Sequence, residues 1–344
     1  MNNSNRIEIL DLLRFLSALS VVFYHFLYRG WKTDNLSELT FNFYDGIFKY
    51  GYLGVQVFFI ISGFVIYLSI EKRSLKSFFI SRFTRLYPAY WLCLSITLLF
   101  IFFLDDGRFY IGAFDAALNY LMFSKLLGVP FADGAYWTLI YELCFYFWVF
   151  VTLFFRKDRL LELLSVFSIF SLLLLYFDFD FFFSVFWGGY FIGYFLLGCI
   201  FFKIYKNNFR KVHIIYLAIA VALCFLQASM QVEVKNSNPG VRLELNVVYV
   251  ILSSVFIFFF FISKGCFRFL NFRFFWHLGV MTYPCYLLHQ NIGYIVFNRY
   301  GNLVSPFVLL SFFVALLLFV SYLIGRFYEP FLMKKSKHIM GSLL

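Results

Sequence analysis

Charge is what this sequence lacks most. Only 14% of its 344 residues are Asp, Glu, Lys or Arg, well below the share of about 25% usual in soluble domains, and that excludes a water-solvated surface over most of the chain. Proline is scarce, at six residues, and no Pro/Gly/Ser-rich stretch marks a long linker. The cysteines Cys93, Cys144, Cys199, Cys224, Cys266 and Cys285 stand singly, with no CxxC and no Cys/His spacing. They are expected to be buried free thiols, with neither a structural disulfide nor a metal site. There is no repeat of fixed short period. The apolar runs are continuous instead of alternating, which argues against a membrane β-barrel.

What is present is hydrocarbon and aromatic surface: 62% hydrophobic residues, 25% aromatic residues and 55 phenylalanines. The expected fold is an all-α membrane protein, a polytopic bundle of about ten transmembrane helices, because lipid requires each crossing segment to satisfy its own backbone. The spans are expected at 9–28, 47–70, 86–104, 135–155, 160–177, 182–202, 212–230, 246–263, 279–298 and 305–326, within one integral-membrane domain over 1–344 and with no appended soluble domain. Lys and Arg gather at Arg6, 72–85, 156–159, 203–211, 264–273 and beyond 325. The acids Asp34, Glu38, Asp45, Asp105, Asp106, Asp115, Asp133, Asp178, Asp180, Glu233 and Glu244 fall in the alternate loops. The positive-inside rule then places both termini in the cytoplasm and explains the net charge of +11 without nucleic acid. The first apolar run holds Arg14 and exceeds a signal-peptide core in length, so it reads as a retained span. Loops 29–46, 105–134 and 231–245 form the expected outer rim, and the run FIFFFF at 256–261 is expected to face lipid.

Against that background the ionisable groups inside spans are costly and call for a reason. In LDLLRFLSALSVVFYHF, Leu10 to Phe26, Arg14 and His25 lie eleven residues apart, about three turns plus 20°, and so share a face about 16 Å apart along the axis. Asp11 is placed i,i+3 to pair with Arg14. Glu142 sits about two turns below the outer end of its span. Gln56 lies in the upper part of the second span, with Gly54 and Gly63 allowing close helix approach. His289 falls nearer the midplane. These groups point to one polar chamber. On the cytoplasmic side Arg82 and Arg85, i,i+3 and just before the third span, suit a phosphate clamp. Arg326 and Glu329 are expected to join the network of Asp11 and Arg14.

Six motifs in order give the chain a resemblance to the integral-membrane acyltransferase 3 family. They are Asp11, Arg14 and His25; Phe58, Phe59, Ser62, Gly63 and Phe64; Arg82, Arg85, Pro88 and Tyr90; Trp137, Leu139, Glu142, Phe145 and Tyr146; Tyr283, Tyr286, Leu287 and His289; and Glu329 with Pro330. Thr138 and Thr282 stand where the family has serine, Pro284 interrupts the late motif, and Gln56 replaces an acidic residue. The resemblance implies a bacterial inner-membrane enzyme with a cytoplasmic acyl-CoA donor, acetyl-CoA first among them, and a carbohydrate or lipid-linked sugar acceptor that it O-acetylates. His25 is the expected general base, oriented or charged by Glu142. His289 and Gln56 are expected at the acceptor or the oxyanion. Arg14, Arg82 and Arg85 are expected to hold the donor, with Asp11, Ser62, Trp137, Tyr286 and Glu329 in support. A pantetheine arm has about the length that separates Arg14 from His25. The alternative is a transporter or flippase using His and Glu as a proton relay, but no inverted repeat or paired broken helices support it. A noncatalytic export subunit would leave His25 and the arginine pair unexplained.

Overall fold

The computed structural model describes residues 7–41, 44–70, 74–155, 159–179, 181–270 and 272–343, except for the side chains at 45, 181–183, 268 and 337–343. Arg6, Lys72, Arg73, Arg156, Lys157 and Asp180, which enter the charge pattern, lie outside the described residues, as do the side chains of Asp45, Arg268 and Lys337. Among the described residues the chain is helical with no strand. Among the described residues, seven helical stretches are long and apolar enough to cross a membrane: Glu8–Lys32, Gly46–Ile70, Leu75–Leu104, Gly134–Phe155, Val212–Asn236, Leu245–Ser263 and Pro306–Ser336.

We label the main helices α1 (Glu8–Tyr24), α2 (Gly54–Ile70), α3 (Leu75–Leu104), α4 (Trp137–Phe155), α5 (Leu160–Tyr176), α6 (Ile192–Tyr205), α7 (Val212–Asn236), α8 (Leu245–Ser263), α9 (Phe274–Leu288), α10 (Gln290–Tyr300) and α11 (Pro306–Leu323). α1 runs on through a π-helical segment, His25–Arg29, and α11 through another, Ile324–Tyr328.

Three expected spans differ in form. The stretch 182–202 is split: Phe181–Phe186 ends in a turn where Gly188 (φ 94°) and Gly189 (φ 44°) take left-handed angles, and α6 starts only at Ile192. Two left-handed glycines in succession stop a right-handed helix. α3 begins eleven residues before the expected 86, because Ser74 caps it by accepting the Ser77 N–H at 3.3 Å and nothing between breaks it. Arg82 and Arg85 therefore sit inside the helix. The stretch 279–298 starts at Phe274 and is interrupted at His289.

The chain divides into two compact units. The first comprises Met1–Leu10, Val55–Phe79 and Ile140–Asn271. Its α2 and α6 cross backbone to backbone. A Cβ at Gly63 would lie 2.1 Å from the Phe195 carbonyl oxygen, and one at Gly198 would lie 2.0 Å from that of Ile60. Small residues at such crossings are how membrane helices pack closely. Beside the crossing Phe195 stacks on Phe145 at 4.1 Å and meets Phe59 at 4.6 Å. The 256–261 run is not uniformly outward: Phe256 and Phe259, one turn apart, are buried, while Ile257, Phe260 and Phe261 are exposed. The helical period divides the run between the two faces. Cys266, expected to be buried, is exposed in the turn after α8; the other five thiols are buried and all six are free.

The second unit comprises Asp11–Gly54, Ile80–Leu139 and Phe272–Leu344. Gly51 and Gly54 press on the carbonyl oxygens of Ser20 and Ser17 in α1, where added Cβ atoms would lie at 2.4 and 2.5 Å. Gly325 does the same to Val280 of α9, at 2.0 Å. The segment 105–134, expected as outer rim, folds back along α3. Tyr90 donates to the Asn119 carbonyl (2.7 Å), Trp91 to that of Tyr120 (3.0 Å) and Tyr87 to that of Leu121 (3.1 Å). Asn119 is fully buried and organises the fold-back. Its amide donates to the carbonyls of Asp115 and Pro130, and its oxygen accepts from the Ala132 N–H and the Ser124 hydroxyl. Buried backbone groups must find partners, and these side chains supply them.

Candidate active site: a buried histidine pair

His25 and His289 meet in the second unit, with His289 Nε2 3.0 Å from His25 Nδ1. Both rings are buried, at 4% and 0% exposure. His289 was expected nearer the midplane; because α9 starts at Phe274 instead of 279, it lies further along its helix and level with His25.

The partners of the rings fix their tautomers. His289 Nδ1 lies 2.7 Å from the Tyr286 carbonyl oxygen, which can only accept, so Nδ1 carries the hydrogen and Nε2 the lone pair. His25 Nδ1 faces that lone pair and also the Val21 carbonyl at 2.9 Å, so it too carries its hydrogen and shares it. The His25 lone pair is therefore on Nε2. A hydrogen bond on one ring nitrogen decides what the other can do. In the neutral form of His25 the basic nitrogen is thus set by a second imidazole.

The π-helical segment starts at His25 itself. Its carbonyl accepts from the Gly30 N–H, five residues on, and from the Tyr294 hydroxyl at 3.2 Å. Gly30 is needed there, since a Cβ would fall 2.3 Å from the Tyr294 ring. Single π-turns inside α-helices recur at functional sites, and this one had no signal in the sequence.

The partner ring is held just as closely. Tyr286 donates to the Ala135 carbonyl at 3.1 Å and lies 2.9 Å from the Thr138 hydroxyl. Asp133 is fully buried; it accepts the Ala135 N–H at 2.8 Å and the Asn291 N–H at 2.9 Å. The Asn291 side chain donates to the Ala132 carbonyl at 3.0 Å. Burial pushes the Asp133 carboxyl up to about 7, while the two N–H bonds hold it down. By charge pattern alone Asp133 is one of the outer-loop acids. The signal available was an Asp-Gly pair just ahead of a helical run, an N-cap pattern.

The remaining candidates fall into separate groups. In the second unit Arg14 pairs with Asp11 at 3.7 Å, and Asp11 packs on Gly279. Arg85 pairs with the buried Glu329 at 3.2 Å, and Arg82 donates to Ser81 at 3.0 Å. Arg326 lies over the Trp276 ring at 4.8 Å. Among the described residues, ion pairs join Asp11 to Arg14 and Arg85 to Glu329. Trp137 is half-buried at the start of α4. In the first unit Glu142 accepts from Ser62 at 3.3 Å and from the Tyr146 hydroxyl. Gln56, also buried there, donates to Gln231 at 3.2 Å.

The acyltransferase 3 family model, described as an acyltransferase domain, matches residues 7–326, and the chain belongs to that family. A protein of Acidianus two-tailed virus named "Putative acetyltransferase ORF330" is 31% identical over 139 residues, 40% of this chain. The chain spans 38% of the length of that relative. No solved structure matches it.

Proposed function

We propose that this membrane acyltransferase moves an acyl group, acetyl first among candidates, from cytoplasmic acyl-CoA to a hydroxyl of an extracytoplasmic or lipid-linked carbohydrate at the bacterial inner membrane. In this reading the chain crosses the membrane ten times with both ends cytoplasmic. The observation that carries it is the 3.0 Å contact that leaves the lone pair of His25 on Nε2. His25 Nε2 takes the proton of the acceptor hydroxyl as its oxygen attacks the thioester carbonyl carbon. The tetrahedral intermediate collapses with cleavage of the C–S bond. The imidazolium returns the proton to the sulfur, and CoA leaves as a thiol. His289 holds the tautomer of His25, and its lone pair stabilises the transient positive charge. Glu142 and Gln56 are assigned to acceptor chemistry by residue type, as a carboxylate that accepts and an amide that donates.

Arg82 and Arg85 are assigned to the phosphates of the donor, supported by their placement i,i+3 within α3. The ion pair to Glu329 fixes the Arg85 guanidinium before the donor arrives. Arg14, paired with Asp11, lies along the path toward His25. Replacing both Arg82 and Arg85 with alanine should raise the KM for acyl-CoA by about 10- to 100-fold, the loss of one or two charge-assisted hydrogen bonds, with a smaller change in kcat. Saturation curves for acyl-CoA on the purified proteins read this directly; an unchanged KM removes the clamp.

The reaction itself is tested by thiol release from acetyl-CoA with and without lipid-linked sugar, and by mass spectrometry of the sugar product. Acceptor-dependent thiol together with an acyl-sized mass gain on the sugar is the expected result. Neither event with the acceptor present would turn the reading toward transport.

A further inference from the structure

We infer that Asp133 is the positioning residue of the histidine pair, a clamp that holds the start of α10 and, through it, the ring of His289 against His25. The inference rests on reading that pair as the reaction centre. It stands on the way the two segments are tied. The carboxylate of Asp133 spends one oxygen on the Ala135 N–H, in its own segment, and the other on the Asn291 N–H, two residues beyond His289. An early N–H of a helix lacks an intrahelical partner, and here the partner comes from 158 residues away along the chain. The tie is doubled by Asn291 donating back to the Ala132 carbonyl, and it is continued one turn earlier by Tyr286 on Ala135 and Thr138.

The same stretch that is tied at Asn291 and Tyr286 contains the whole setting of His289. Its Nδ1 hydrogen goes to the Tyr286 carbonyl. A slip of the helix at this point moves that carbonyl and turns Nε2 away from His25. The requirement for a carboxylate is specific. The two N–H donors fall on different oxygens of one side chain, and in that geometry a carboxylate satisfies both. Asparagine would point its NH2 at one of them. Gly134 belongs to the arrangement, since a Cβ there would lie 2.1 Å from the Gln290 amide.

The test is a double-mutant cycle on the full chain in detergent with acetyl-CoA and the acceptor, using Asp133→Asn and His289→Ala alone and together. If Asp133 acts through His289, Asp133→Asn lowers kcat about 100-fold in the native background, the size expected of an ångström-scale misplacement, and less than about 3-fold once His289 is alanine. The KM for acetyl-CoA stays unchanged. An equal loss in both backgrounds, or no loss in either, overturns the inference. If Asp133→Asn fails to fold, Asp133→Ser, which keeps one acceptor for Ala135, replaces it in the cycle.

A readout independent of the reaction is nitrogen NMR of the protein labelled at its five histidines. Asp133→Asn should shift the ring nitrogens of His289 and His25 and leave His277 in place; unshifted rings overturn the inference. Absence of any thiol release by the native protein would count against the acyl-transfer reading while the NMR comparison still decides the role of Asp133.

Discussion

Replacing His25 with alanine is expected to reduce acceptor-dependent thiol release by about 10²- to 10⁴-fold, the range that a positioned general base supplies. The expected loss is in kcat, with the KM for acetyl-CoA unchanged, because the proposed donor contacts at Arg82 and Arg85 are untouched. His289 cannot stand in: its Nδ1 hydrogen is committed to the Tyr286 carbonyl, and its lone pair points at the place His25 has left. Folding should survive, since the π-helical turn at His25 is held through its backbone carbonyl by Gly30 and Tyr294. The space left by an imidazole, walled by Tyr24 and His289, should admit free imidazole and restore part of the rate. A thermal melt close to that of the native protein, with activity lost and partly regained in imidazole, is the expected set of results. Full activity in His25→Ala would end the base assignment.

Much of this site could be read from residues alone, and the reasons differ from residue to residue. His25 and Arg14 stood out because ionisable groups are expensive within an apolar run, so their presence alone was a signal. The pairing of Asp11 with Arg14 followed from helical spacing and is seen at 3.7 Å. That His25 and His289 touch could not be read, since no local rule ties residues 264 positions apart. Nor could the exchange of partners at Glu329, which pairs with Arg85 instead of joining Arg14.

Asp133 shows a different limit. By composition it was one more acid on the less basic side, and the charge pattern accounted for it completely. Its function depends on the fold-back of 105–134 along α3, which Asn119 arranges with four hydrogen bonds at a single buried side chain. Periodicity detects helices that bury one face, but it is blind to an irregular segment whose order comes from side chains capping backbone groups. The same holds for the turn at Gly188 and Gly189. Its glycines were visible, yet the apolar run through them looked continuous.

The second large effect concerns the fold and uses Gly198. Gly198→Val should leave little or no folded protein, whereas Gly112→Ala should be indistinguishable from the native chain. At Gly198 the first added carbon would stand 2.0 Å from the Ile60 carbonyl oxygen and 2.9 Å from the Phe64 nitrogen. Both are backbone atoms of α2 and cannot rotate away. The helices would have to part by more than an ångström, and the Phe195 contacts with Phe59 and Phe145 would open with them. Overpacking a core costs about 1–3 kcal/mol where neighbours can adjust, and more where they cannot. Against a native stability of about 5–15 kcal/mol, that loss combined with the opened aromatic cluster is decisive. Gly112 has nothing within 4 Å of its added carbon, so alanine meets open space. Monodisperse yield and melting temperature in detergent separate the two variants, and a native-like melt for Gly198→Val would mean that α2 and α6 do not cross at this distance. An inactive His25→Ala that melts like the native chain has lost a base, and an inactive Gly198→Val that never folds shows what loss of the scaffold looks like in the same assay.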